Sequence, residues 1–232
     1  MIKTSLLLLL FCVTVAGQSS AKRVKQPREV AEAYRVCNEF QRIFAEDLDF
    51  DRAFEATFTK DPARRRAIAI ADSELGDIDL TKVDDATLLS IYKDQNQLFF
   101  LMLLLADAKD ELENSILFPT QIDAIFERVK SNDNKNLPAY AEQLHRDVMA
   151  FRAHLNDLAA KYAVVADGIR KFRAELSKKL EPPDHVVKPL TFYSKGRVLD
   201  SKEEYYQVSD FAVIREGGQM KIIGIRFFTM RF

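Results

Sequence analysis

Between Pro138 and Leu180, eleven side chains recur three or four positions apart: Tyr140, Leu144, Val148, Phe151, Leu155, Leu158, Tyr162, Val165, Ile169, Phe172 and Leu176. This nearly heptad spacing predicts one long amphipathic helix over about 138–180. Such a stripe does not stay in water, since each buried member contributes roughly 1.5–3 kcal/mol. The chain must therefore meet a second apolar surface, its own or a partner's. Unbroken, the segment would be a rod of about 65 Å, against a diameter of roughly 43 Å for a compact chain of this size. It must bend or project. Gly168 is the cheapest place to bend, because glycine weakens a helix there by about 1 kcal/mol relative to alanine.

Helical spacing also fills the residues before the rod. Val30, Ala33, Tyr34, Cys37, Phe40 and Phe44 predict a helix from about Pro27 to Asp47. Phe50, Phe54 and Phe58 mark a short one, and Asp61-Pro62 supplies a cap and a first-turn proline for the next. Asp84 and Asp85 can cap a helix reaching to about Asn114, with Leu88, Ile91, Tyr92, Leu98, Phe99 and Met102 on its apolar side. Its stretch from Leu98 to Ala106 is apolar all round, which predicts cover on every side at the centre of a bundle. Pro119-Thr120 opens a further short helix, and the Asn-rich run 132–136 reads as a turn and cap, lacking the Gly and closing Glu of a calcium loop.

After Pro182-Pro183 the pattern changes to strands. Leu190–Tyr193 and Gly196–Leu199 predict a ribbon turning at 194–196, and Tyr205–Arg215 with Met220–Thr229 a hairpin joined through Glu216-Gly217-Gly218-Gln219. The chain thus reads as α+β, a mostly α-helical bundle with a long amphipathic helix followed by a small C-terminal antiparallel β-sheet. Gly217-Gly218, Met220, Lys221 and the pair Ile222-Ile223 together resemble the closing hairpin of the nuclear-transport-factor-2-like fold. That likeness spans about 25 of the 232 residues and implies a pocket between sheet and helices. The aromatics available to line it are Phe192, Tyr193, Tyr206, Phe211 and Phe227.

At the N-terminus Lys3, an apolar core from Leu6 to Ala16, and then small and polar residues follow the order of an export signal. Eleven apolar residues are too few for a spanning helix, which needs roughly 20, so cleavage is expected after Gly17 or Ala21. The expected organisation is a signal peptide over 1–21, a helical domain over 22–181 and a sheet packed on it over 182–232. It places the mature protein in the periplasm or outside the cell, with no transmembrane helix remaining. Cys12 follows the bulky Phe11, which disfavours a lipid anchor, and Cys37 is then left without a disulfide partner.

Chemistry is excluded more readily than assigned. Seven glycines, at 17, 76, 168, 196, 217, 218 and 224, form no phosphate-cradling loop and no Gly-x-Ser-x-Gly elbow. A net charge of −1 with both signs interspersed argues against nucleic acid. His145 and His154 lie on opposite sides of one helix, and Glu142 with His145 forms a single Glu-x-x-His unit where di-iron bundles use two. The acids Asp107, Asp110, Glu111 and Glu113 and the run Arg64-Arg65-Arg66 read as solvated surface. No cofactor or metal is implied. The expectation is an exported, non-catalytic interaction or structural protein that packs its seam (Leu144, Val148, Phe151, Leu155, Leu158, Tyr162, Val165, Ile169, Phe172, Leu176) or its sheet on another protein or on itself. The alternative is a small-molecule binding module using the aromatic pocket.

Overall fold

The structure is a computed structural model that describes residues 27–72, 80–105, 136–193 and 202–225. Helix α1 (Arg28–Asp47) is followed by α2 (Phe50–Thr57), α3 (Pro62–Asp72), a 3-10 turn (Leu80–Lys82), α4 (Asp85–Leu105), α5 (Leu137–Lys161) and α6 (Ala163–Leu176). Helix starts follow the chemistry of their caps. The carboxylates of Asp49, Asp61 and Asp84 accept the amides of Arg52, Arg64 and Thr87, and Asn136 accepts that of Ala139. Each cap satisfies a donor that the first helical turn leaves unpaired.

The 138–180 rod is two helices. Tyr162 adopts an extended conformation (φ −122°, ψ 115°), ending α5 through its amide on the Leu158 carbonyl and starting α6 through its own carbonyl. The bend therefore falls at a seam residue, six positions before Gly168. The bend lets α5 lie along α4 while α6 reaches both α1 and α4. Gly168 serves a different purpose, because a Cβ there would stand 2.9 Å from the Leu104 carbonyl oxygen. Only glycine allows α6 to approach α4 so closely.

Four antiparallel strands follow in the order β1 (Leu190–Tyr193), β2 (Lys202–Val208), β3 (Phe211–Glu216) and β4 (Gln219–Ile225). The expected single strand over 205–215 is divided by a tight turn at Ser209-Asp210, where Ser209 has a positive φ of 50°. Consequently β1 pairs with β2, Leu190 opposite Tyr205 and Tyr193 opposite Lys202; residues 196–199 lie outside the described residues. Gly217 (φ 56°) and Gly218 (φ 82°) make the primed turn that suits a twisted hairpin. Register slips by one residue beside Ala212/Val213, so that Val213 pairs with Ile222 while Ala212 pairs with Gly224. This bulge allows Ile222 and Ile225, three apart, both to be buried.

The sheet packs on α1. Phe40, Phe44, Phe50, Phe54, Phe58, Tyr92, Phe100 and Phe211 share a core with Val208, Val213 and Ile222. A second cluster of Leu48, Leu101, Leu104, Leu105, Phe151, Leu155 and Val165 forms where α4, α5 and α6 meet. Between them sits a buried amide: Gln97 donates to the Leu48 carbonyl at 2.9 Å and accepts the Phe50 amide at 2.7 Å. It thereby satisfies the α1–α2 joint, where Leu48 takes a left-handed φ of 53°. No described helix is long and apolar enough to cross a membrane.

Candidate functional site

A groove of about 400 Å³ opens between the C-terminal half of α1 and the end of α6. Helix α1 presents Asn38, Gln41, Arg42, Ala45 and Glu46, and the α6 end presents Arg173, Leu176, Ser177, Lys178 and Lys179. The chain holds this geometry by closing α6 on itself: the Ser177 hydroxyl and amide both donate to the Arg173 carbonyl. Leu180 is then clasped to α1, its amide donating to Asn38 Oδ1 at 2.7 Å while Asn38 Nδ2 donates to the Leu180 carbonyl at 2.9 Å.

The groove wall is electrically lopsided. Arg42 pairs with Glu46 at 2.5 Å, and Lys178 with Glu175 at 2.5 Å. Arg173 bonds only the neutral backbone carbonyl of Glu46, at 3.4 Å, and neither it nor Lys179 has a carboxylate partner among the described residues. Gln41 Oε1 is buried and accepts no hydrogen bond from a described residue, an arrangement that buried carbonyls usually avoid.

Of the residues expected to line a pocket, Tyr206 and Phe211 lie in the core. The Tyr206 hydroxyl donates to Glu29 at 2.7 Å, and burial together with that carboxylate pushes its pKa up to about 12. Phe211 meets Phe40 edge-on at 5.5 Å. Phe192 and Tyr193 belong to β1, but their side chains, like Phe227 as a whole, lie outside the described residues. In the seam Leu144, Val148, Phe151, Leu155 and Val165 are buried, while Leu158, Tyr162, Ile169, Phe172 and Leu176 are half-buried. Its second surface is supplied within the chain by α4 and α1.

Polar residues also settle differently from a solvated surface. Arg64 reaches Glu216 at 3.3 Å, Arg65 holds both oxygens of Glu55 at 3.2 and 2.9 Å, and Arg66 bonds the Leu80 and Val83 carbonyls and Asp85. The arginine run is thus a three-way tether from α3 to the hairpin, α2 and α4. Burial raises the Glu55 carboxyl, but hydrogen bonds from Arg65, Lys93 and Lys60 hold it well below the usual range. Cys37 is wholly buried, and burial pushes its thiol pKa up, so it is an inert core residue.

At the α4–α5 interface His145 Nδ1 lies 3.1 and 3.3 Å from the two oxygens of buried Asp94, and the Ser90 hydroxyl donates to the same carboxylate at 3.4 Å. Burial raises the Asp94 pKa, and the His145 bond partly offsets it. The acid stands between serine and histidine here, whereas a nucleophile relay needs the imidazole in the middle. Glu142 turns to Arg146 at 3.7 Å, away from this pair, and His154 pairs with Asp157 at 3.7 Å. Among the described residues no three His, Cys, Asp or Glu side chains converge on one point. The acids 107–113 and Asn132–Asn134 lie outside the described residues. Asn136 is the cap of α5.

The groove was invisible to periodicity because its two walls stand more than 100 positions apart in the chain; the signal that could point to it is the unexplained concentration of cations at Arg173, Lys178 and Lys179. Comparisons with protein-family models, with curated proteins and with solved structures find no match.

Proposed function

We propose that the protein is an exported, non-catalytic interaction protein of the cell envelope or extracellular space, and that its sheet edge receives an extended segment of a protein partner. One observation carries this reading, the contrast between the two edges of the sheet. At the β4 edge the Thr59 amide donates to the Ile222 carbonyl at 3.0 Å, and Phe58 bridges Ile222 in parallel, so that edge is occupied. At the other edge, no described strand lies beyond β1, and Val186 and Leu190 leave 40% and 48% of their surface exposed. A strand edge flanked by exposed apolar side chains is suited to strand addition. The export half of the proposal rests on the leader sequence from Lys3 to Ala21.

Two measurements test it. N-terminal sequencing of the protein recovered from its native cells is expected to begin at Gln18 or Lys22; recovery of the uncut chain from the cytoplasm would refute export. A photo-crosslinking residue placed at Val186 is expected to trap a protein or a second copy in the envelope, and adding Leu190→Lys to the same chain is expected to abolish that adduct. A monodisperse monomer in sedimentation that traps nothing would remove the interaction reading.

A further inference from the structure

Independently of the sheet edge, we infer that Asp94 and His145 form a pH-sensitive latch that holds the N-terminal half of α5 on α4. His145 Nδ1 stands 3.1 and 3.3 Å from the two carboxylate oxygens of Asp94. The carboxylate is nearly enclosed, its side chain 10% exposed, while the imidazole keeps 59% of its surface in solvent. Elsewhere the enclosed carboxylates that tie one element to another are given a permanent cation: Glu32 has Arg215, Asp49 has Arg152 and Glu216 has Arg64. Asp94 is more enclosed than any of these three. Yet the one cation within its reach exists only conditionally, because an imidazole changes charge between about pH 5 and 8.

The surroundings offer no substitute charge. From α2, Asp51 adds only repulsion. Lys93, beside Asp94 in the chain, is held by Asp51 and Glu55 at 2.6 Å each, and Arg65 of α3 is held by Glu55. Helix α5 also brings the Tyr140 phenol near Asp94, and Ser90 gives one long bond of 3.4 Å. Glu142 and Arg146 pair with each other at 3.7 Å, and among the described residues no charged side chain of α6 bonds either partner. Burial favours the neutral form of Asp94, and the imidazole opposes it. At pH 8 the contact is a hydrogen bond from a neutral ring; in mild acid it joins opposite charges, which strengthens it about tenfold. Once the pH falls below the raised range of the carboxyl, Asp94 takes a proton and the attraction fades, so the latch is tightest in mildly acidic solution. This end of the interface is also the easier to open. Tyr140 Oη and Gln95 Nε2 are buried here without a well-formed hydrogen bond, and water reached on opening would satisfy both. Further along, Phe151 and Leu155 pack with Leu101, Leu104 and Leu105 in a cluster whose buried members carry no charge. That half of α5 has nothing to titrate.

The test uses the full chain and a double-mutant cycle of Asp94→Asn and His145→Gln, read by urea unfolding at pH 8 and pH 5.5. The coupling between the two positions, expressed as an equilibrium constant, is expected to be about tenfold larger at pH 5.5 than at pH 8. His145→Lys, which supplies a permanent cation, is expected to hold the same advantage over His145→Gln at both pH values. His154 provides the control, since its partner Asp157 lies on the surface; the effect of His154→Gln is expected to vary by less than about twofold over the same range. Amide hydrogen exchange reads the location. Corrected for intrinsic rates, protection at Leu144 and Val148 is expected to fall about tenfold from pH 5.5 to pH 8, while that at Leu155 stays unchanged. The proposal is overturned if the coupling is absent or the same at both pH values, if His154→Gln shows an equal pH dependence, or if protection changes uniformly along α5.

Discussion

The cluster beneath α1, α2 and the sheet is rich in aromatic rings, whereas the fully buried members of the one where α4, α5 and α6 meet are aliphatic apart from Phe151. The aromatic cluster grows from phenylalanines four apart, Phe40 and Phe44 on α1 and Phe50, Phe54 and Phe58 along α2 and its C-cap, and each ring serves several neighbours. Phe50 alone lies with centroid distances of 5.8 to 6.5 Å from Phe40, Phe44, Phe54, Phe58, Phe100 and Tyr92. The aliphatic cluster depends instead on backbone proximity, secured by Gly168 against Leu104. One region is made specific by the shapes of its side chains, the other by the absence of one.

The contrast can be broken at its centre. Phe50→Ala removes a ring that touches six others and should cost about 4 kcal/mol, read as a fall in the urea midpoint; a loss below about 1 kcal/mol would mean the rings do not act as one lattice. Gln97→Leu attacks the joint between the two regions. It leaves the Leu48 carbonyl and Phe50 amide unpaired, for an expected loss of about 3 kcal/mol and faster hydrogen exchange at Phe50. Unchanged exchange there would show that the joint does not need its amide.

Gly168→Ala sharpens the comparison, because helix propensity and packing oppose each other. Propensity alone would stabilise by about 1 kcal/mol. The clash with Leu104 is expected to prevail by about 1–2 kcal/mol, with amide shifts confined to α4 and α6. A more stable variant would show that the two helices move apart freely.

The smallest effect is a pH dependence at Asp94. Because burial raises its pKa above the ordinary 3.8, the folded state keeps this proton to higher pH than the unfolded chain does. Its contribution to stability is complete below the ordinary value and declines as pH rises through the raised one. In a His145→Gln background, which removes the neighbouring imidazole and leaves Ser90, Asp51 and Tyr140 as the other groups that act on Asp94, stability relative to the additional Asp94→Asn variant should decline as pH rises above the ordinary 3.8. Parallel stability curves from thermal melts would dismiss the effect.

Much of the helical part was legible because short-range chemistry decides it. Asp49, Asp61 and Asp84 sit where caps belong, and Leu144, Val148, Phe151 and Leu155 lie on the face their spacing indicates. The bend at Tyr162 was not legible, since no glycine or proline marks it and it follows from how α6 must cross α1 and α4. Arg64, Arg65 and Arg66 resembled a solvated run because partners from three different elements come from distant sequence. Phe99 likewise departs from the expectation of complete cover on α4, being 38% exposed. The candidate site was the least legible part, because its two walls are brought together only by the clasp between Asn38 and Leu180.

The hold of the final strands on the first helix bears on the order in which the molecule can be completed. Tyr206 bonds Glu29 across 177 positions, and Arg215 bonds Glu32 across 183. Contacts this remote must await closure of a very large loop, which slows folding. An emerging chain would therefore remain unfinished until its C-terminal hairpin arrives, a delay that would suit the export proposed above.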